Sequence, residues 1–295
     1  MKSRWLSDLK YKWMTSYRLI NYRAQWRAWL RPSAKTQPIF VLGCQQSGTT
    51  ALARMLGLGS EVRRYEEGDP AYFILEDAPR LLDLEMVARR LGAERNSFTL
   101  IKPLCESQRA NELLDRFPHA HIVWIFRHYS ACIASHVRYY RAHHDAVQYV
   151  QDIVNPAANT WKCVGLSMQA RARLAVYQHV QLTPESAYAI YWLARNLLYF
   201  NIIRSGRVHL VNYEELIEAP QAQSKQIFRA LGVPYRPHYA DVINNSYERP
   251  TTIDGIDSLL TSWCDDTYDL LLAELHDASR SSNQSSGITA GAPSV

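Results

Sequence analysis

Residues 38–50 constrain the fold more than any other stretch. Pro38-Ile-Phe-Val-Leu-Gly43 is an apolar run of strand length that stops at a glycine. Gly43-Cys-Gln-Gln-Ser-Gly48-Thr49-Thr50 comes next, and residues 49–58 have helical character. The unit is therefore strand, glycine-turned loop, helix. Such a loop aims backbone N–H groups at an anion, and the helix behind it adds a favourable field. Gly43 and Gly48 permit the tight turn, and Thr49 and Thr50 bring hydroxyl donors.

Three further apolar runs, residues 98–101, 121–126 and 207–212, have strand length. Helical spacing marks residues 107–117, 159–178, 185–204, 221–231 and 259–275. Strands alternating with helices predict an α/β fold with a central parallel sheet flanked by helices, a P-loop-like three-layer sandwich. Residues 36–278 are expected to form this domain. Residues 279–295 are rich in Ser, Gly and Ala and read as a disordered tail.

Residues 1–35 read as a basic aromatic helix followed by a linker from Pro32 to Gln37. Trp5, Leu9, Trp13 and Tyr17 recur at four-residue spacing and would share one helical face. That helix suits either a peripheral contact of residues 1–30 with an anionic membrane or packing on the main domain or a partner subunit. These 35 residues hold nine Lys/Arg and only Asp8, a local +8 that leaves about −3 of the net +5 for the rest. Nucleic-acid binding is thus not expected of the body of the protein. The five cysteines are scattered without metal spacing, so no metal is expected and free thiols of a reducing compartment are the simplest reading. No apolar run reaches the ~20 residues of a membrane span and no signal peptide is evident, so the cytoplasm is the expected location.

The loop is close to the nucleoside-triphosphate P-loop, G-x-x-x-x-G-K-[ST], but Thr49 stands at the lysine position. That lysine and a magnesium ion offset the dense charge of a β,γ-phosphate, so its loss counts against a kinase or NTPase. A second anion signal is His121-Ile-Val-Trp-Ile-Phe-Arg127-His128-Tyr129, with Ser135 eight residues beyond the arginine. Ligands of open α/β sheets bind outside the carboxyl ends of the strands, where Arg127 falls. A planar guanidinium suits bidentate phosphate binding.

The loop core Ser47-Gly48-Thr49-Thr50 resembles the 5′-phosphosulfate loop of the sulfotransferases that use 3′-phosphoadenosine 5′-phosphosulfate (PAPS), written P-[KR]-S-G-T-T. Gln45 and Gln46 depart from its proline and its basic residue. Gln46 can donate a hydrogen bond but brings no charge. The Arg127 and Ser135 pair is similar to that family's 3′-phosphate segment, although His128-Tyr129 replaces its Asp-Pro. Val208-His-Leu-Val-Asn-Tyr213-Glu214-Glu215-Leu216, with Leu231-Gly-Val-Pro234 beyond it, resembles the family's strand–YEdL–helix–LGlp segment. The cytosolic Gly-x-x-Gly-x-x-Lys segment does not follow Pro234, which places the chain nearer the bacterial, Golgi-type and protein-tyrosine branches.

The resemblance implies PAPS as the sulfuryl donor without a metal. It gives Gln46, Ser47, Gly48, Thr49, Thr50, Arg127, Ser135 and Tyr213 as nucleotide contacts. It implies transfer to a hydroxyl or amine of a small-molecule, glycan or lipid acceptor. Sulfuryl transfer needs a base and a cation. The paired Glu66 and Glu67 are similar to the glutamates of the protein-tyrosine sulfotransferases, with Glu67 the expected base and Glu66 second. Lys102 in Leu100-Ile-Lys-Pro103 is the expected cation, in place of the charge that Gln46 lacks. His136, His143 and His144 read as polar surface groups. Residues 139–149 and the helices over 159–204 are expected to touch the acceptor, with Trp161, Tyr188, Tyr191 and Trp192 suiting either an aromatic pocket or the core. The alternative is a pseudoenzyme that holds the nucleotide with little or no turnover because of Gln46.

Overall fold

The computed structural model describes residues 35–140, 145–203, 205–243 and 253–287; the basic aromatic segment over residues 1–30, His143 and His144 lie outside them. The five strands of the central sheet are β1 (Gln37–Gly43), β2 (Val62–Tyr65), β5 (Phe98–Ile101), β6 (His121–Phe126) and β7 (Val208–Asn212). They lie in the order β2-β5-β1-β6-β7, and every pairing is parallel. A small antiparallel hairpin, β3 (Phe73–Leu75) with β4 (Pro79–Leu81), stands apart from the sheet.

Strands buried on both faces read as continuous apolar runs, and β1 and β6 show why. Ile39, Val41, Val123 and Ile125 pack into one core, while Phe40, Leu42, Ile122, Trp124 and Phe126 pack into another. Alternate residues of one strand thus feed opposite layers. The first layer holds α1 (Thr49–Leu56) and α9 (Pro220–Ala230). The second, thicker layer holds α2 (Leu84–Ala93), α3 (Ala110–Arg116), α4 (Tyr129–Tyr140), α5 (Ala146–Val154), α6 (Met168–Ala175), α7 (Pro184–Leu197) and α10 (Ser258–Gly287). The short α8 (Tyr213–Glu218) leads directly out of β7. The fold is α/β, a parallel sheet flanked by helices on both faces.

Caps set several starts. Asp83, Asp145, Ser167, Thr183 and Asn212 each accept a backbone N–H of the helix that follows. Five boundaries differ from the sequence reading. Residues 107–117 split into a 3₁₀ turn, Leu104–Arg109, and α3. Residues 159–178 yield only α6, because Gly165 sits at φ +86° and Ser167 caps a new helix start. The 185–204 helix ends at Leu197 and passes into a 3₁₀ turn over Leu198–Asn201. Instead of ending at residue 275 with a disordered tail from residue 279, α10 runs to Gly287, and Gln37 belongs to β1 rather than to a linker.

Candidate active site

Because all five strands run the same way, their carboxyl ends share one edge of the sheet, where ligands of such sheets bind. Each end delivers one predicted group: the 43–50 loop after β1, Glu66 and Glu67 after β2, Lys102 after β5, Arg127 after β6 and Tyr213 after β7. The turn at the end of β1 needs glycine. A Cβ on Gly43, at φ +133°, would lie 2.3 Å from the Ile125 carbonyl of the neighbouring strand. Gly48 sits at the N-cap of α1 at φ +86°, and no side chain caps this helix.

Three distant segments meet at Gly48. A Cβ there would lie 2.1 Å from the Tyr213 ring, and the guanidinium of Arg127 stands 4.6 Å from the same ring centroid. Arg127 is buried, and its Nη1 donates to the carbonyl of Gln46 at 3.1 Å. Ser135 Oγ donates to Gln46 Oε1 at 2.8 Å. Gln46 adopts φ 65°, a left-handed conformation uncommon for a residue with a Cβ, and these two bonds hold it there. Ser47 behaves differently. Its side chain is fully buried, with Oγ 3.4 Å from Cys132 Sγ on α4, and its N–H donates to the Cys44 carbonyl at 3.3 Å. The structure therefore does not bring the Ser47 hydroxyl to the cleft surface.

The charged groups lie on the β2–β5 side of the loop. Lys102 is buried, and its Nζ donates to Thr50 Oγ1 at 3.1 Å. It also pairs with Glu66 Oε2 at 2.9 Å and stands 4.0 Å from Glu67 Oε2. Glu66 is held from its other side by Arg64 Nε at 3.2 Å. Burial pushes the Glu67 carboxyl up to about 7, against the pull of Lys102, with Glu66 adding to the rise. The backbone N–H groups of Leu104 and Cys105 reach the same carboxyl and lower it in part. A carboxylate near 7 is poised to take and return a proton at neutral pH.

A wall of tyrosines stands beside this pair. Tyr191 OH donates to Gln45 Oε1, and Gln45 Nε2 lies 3.8 Å from Cys105 Sγ. Tyr140 bonds to the side chain of Gln46, and Tyr149 bonds to Tyr191. His136 is buried among Tyr140, Tyr188 and Tyr191 rather than on the surface, with Nδ1 2.9 Å from the Cys132 carbonyl oxygen. Burial lowers its pKa to about 4, so the ring is neutral at pH 7. Trp161 and Trp192 are core residues, and Trp192 Nε1 donates to the Arg127 carbonyl at 2.9 Å. All five cysteines are free and buried. Among the described residues no group of three or more His, Cys, Asp or Glu side chains is placed to hold a metal.

The family model described as "Sulfotransferase family" matches residues 76–237, more than half of the chain. The chain belongs to the sulfotransferase family. A comparison with curated proteins yields no match. Among solved structures, this sulfotransferase chain is similar to a sulfotransferase from Alicyclobacillus acidocaldarius at 16% identity and TM-score 0.49, over 82% of this chain and 96% of that one. It is also similar to a sulfotransferase from Mycobacterium avium at 16% identity and TM-score 0.47, over 82% and 77% of the two chains. A mouse sulfotransferase complexed with PAP, the desulfated product nucleotide, aligns at 16% identity and TM-score 0.42, over 82% and 85%.

Sequence reasoning missed Arg64, Cys105 and the Leu104–Cys105 peptide, which shape the surroundings of Glu67, and named Gln45 only as a departure. The contact at Gly48 carries a prediction for this sulfotransferase. Gly48→Ala puts a methyl into the Tyr213 ring at a positive φ and should cost about 1–3 kcal/mol of stability. Thermal unfolding should register that loss, and calorimetry with PAP should show affinity reduced at least tenfold. Unchanged affinity would separate the Tyr213 contact from nucleotide binding.

Proposed function

We propose that the protein transfers the sulfuryl group of PAPS to a hydroxyl or amine of a small acceptor. The observation that carries this reading is the meeting at Gly48 of the loop, Arg127 and the Tyr213 ring, with Ser135 joined to the same loop through Gln46. The donor set fits a nucleotide with an anion at each end. The glycine loop, Thr49 and Thr50 face the 5′-phosphosulfate, with Lys102 beside Thr50 as the positive charge that Gln46 does not bring. Arg127 and Ser135 take the 3′-phosphate, where a guanidinium makes the stronger, charge-assisted bonds.

When bound, the nucleotide supplies an activated sulfuryl group on a phosphate leaving group. Glu67 accepts the proton of the acceptor hydroxyl or amine as the new bond to sulfur forms. Lys102 and the loop N–H groups hold the charge that returns to the departing phosphate oxygen. Gln46 orients the same oxygen with a neutral donor. The half-buried Tyr140 and Tyr149, backed by the buried Tyr191, exclude water and seat the acceptor beside Glu67. Free, buried cysteines suit an enzyme of a reducing compartment such as the cytoplasm.

The test is incubation with PAPS and a panel of alcohols, phenols, sugars and amines, with mass spectrometry for the gain of a sulfuryl group and release of PAP. Product formation should rise with pH through about 7 and level off above it, because Glu67 works only in its deprotonated form and burial holds its pKa there. Tight PAP binding without product on any acceptor would favour the pseudoenzyme reading of Gln46. Magnesium-dependent ATP consumption would favour a kinase and overturn both.

A further inference from the structure

Arg195 lies on α7 and is completely buried. A buried guanidinium is costly unless its N–H groups find acceptors. Nη2 donates to the Leu104 carbonyl at 2.9 Å and Nη1 to the Trp161 carbonyl at 3.1 Å. Gln108 Oε1 lies 3.4 Å from Nη2 and 3.5 Å from Nη1, and the Trp161 ring centroid is 5.3 Å from Cζ. Among the described residues, no ion pair includes Arg195. Its acceptors are all neutral.

The acceptor of Nη2 has a consequence for the cleft. The Leu104 carbonyl and the Cys105 N–H belong to one peptide group, and that N–H reaches the Glu67 carboxylate together with the N–H of Leu104. A single peptide unit therefore joins a buried cation to the carboxylate. A donor on a peptide oxygen draws electron density from its nitrogen and strengthens the N–H, and the effect grows where the dielectric is low. Gln108 adds a second tether, because its Nε2 donates to the Cys105 carbonyl at 2.9 Å while its Oε1 faces Arg195.

We propose that Arg195 is a positioning residue of the transfer site: it holds the Leu104–Cys105 peptide, and through it seats the Glu67 carboxylate at the cleft in the ionised, proton-accepting form. The inference rests on Glu67 as the base in the function proposed above. Other groups also face Glu67: Glu66 beside it, Lys102 from the end of β5 at 4.0 Å, Cys105 Sγ from the 3₁₀ turn at 3.9 Å and Tyr140 from α4. Desolvation and Glu66 favour its proton, while Lys102 and the two peptide N–H groups oppose it. Arg195 strengthens the peptide contribution without touching Glu67 itself.

The experiment is carboxyl NMR titration of the full chain labelled with ¹³C-glutamate, with the Glu67 resonance assigned by its loss in Glu67→Gln. In Arg195→Met the Glu67 midpoint should rise by roughly one pH unit. The acid limb of kcat/KM should move with it, while PAP affinity by calorimetry stays within about twofold of wild type. Arg195→Lys retains the charge and a donor for Leu104, so it should show a smaller rise and partial rescue of the rate at neutral pH. A purely structural role would lower the melting temperature and leave the midpoint in place. An unmoved midpoint in folded Arg195→Met overturns the proposal, as does one in Arg195→Gln where the methionine variant does not fold. Folding of Arg195→Lys alone, with both neutral variants unfolded, also overturns it in favour of a requirement of the core. Full turnover in Glu67→Gln removes the base assignment and this inference together. An inactive Glu67→Gln beside an unmoved midpoint in Arg195→Met removes only the role of Arg195.

Discussion

Arg127→Ala should weaken PAP binding by a factor of about a hundred or more and leave the protein folded. Truncating one side of a charged, hydrogen-bonded contact costs about 2–5 kcal/mol, and each 1.4 kcal/mol is tenfold in affinity. The side chain holds the Gln46 carbonyl at 3.1 Å and lies over Tyr213, and in the proposed role it also offers its guanidinium to the anion. Its backbone stays fixed by Trp192, whose Nε1 bonds to the Arg127 carbonyl, so the end of β6 does not depend on the side chain. Arg127→Lys keeps the charge and loses the planar fork, so it should recover only part of the affinity. Calorimetry with PAP, with circular dichroism as the check on folding, decides this. Wild-type affinity in folded Arg127→Ala would contradict the assignment of this arginine to the nucleotide.

Glu67→Gln should leave PAP affinity near wild type and lower kcat by about 10²–10⁴-fold, the usual contribution of a positioned base. Glutamine keeps the shape and still accepts from the Leu104 and Cys105 N–H groups, but it cannot take the acceptor proton. Glu66→Gln is the informative comparison. Glu66 sits in a buried ion pair with Lys102 at 2.9 Å and faces Arg64 at 3.2 Å, so its loss leaves two cations underbalanced and should disturb stability more than the chemical step. Rates measured across a PAPS titration separate the two. If Glu66→Gln abolishes turnover while Glu67→Gln retains it, the roles are reversed.

Much of this site is legible without coordinates, for a physical reason. β1, β5, β6 and β7 carry apolar residues because helices cover both faces of most of the sheet, and the residues that follow them are forced to one edge. β2 escapes notice because it is an edge strand with two arginines, Val62-Arg-Arg-Tyr65, of which Arg64 is buried against Glu66. Nothing local therefore marks Glu66 and Glu67 as following a strand, and the resemblance to the protein-tyrosine enzymes had to single them out. Arg195 is invisible for a related reason. An arginine on a helix reads as a surface residue, and its burial is tolerated through the Leu104 and Trp161 carbonyls, Gln108 Oε1 and the Trp161 ring, none of which is near it in sequence. The break near Gly165 and the extension of α10 were missed because helix ends depend on φ values and packing more than on composition.

The spread of the site over all five strand ends also governs how the chain must mature. The loop follows residue 43 and Tyr213 follows residue 212, so the proposed nucleotide contacts span about 170 residues of chain and close only when the last strand joins the sheet. Parallel pairing of this kind is slow, because long loops must be ordered before their contacts repay the entropy. During synthesis, a nascent chain that has exposed β1 to β6 already has the glycine loop and Arg127 but lacks the ring that fills the space over Gly48. Ligand capture should thus arrive late and all at once, making PAP binding a sensitive reporter of whether the complete sheet has formed.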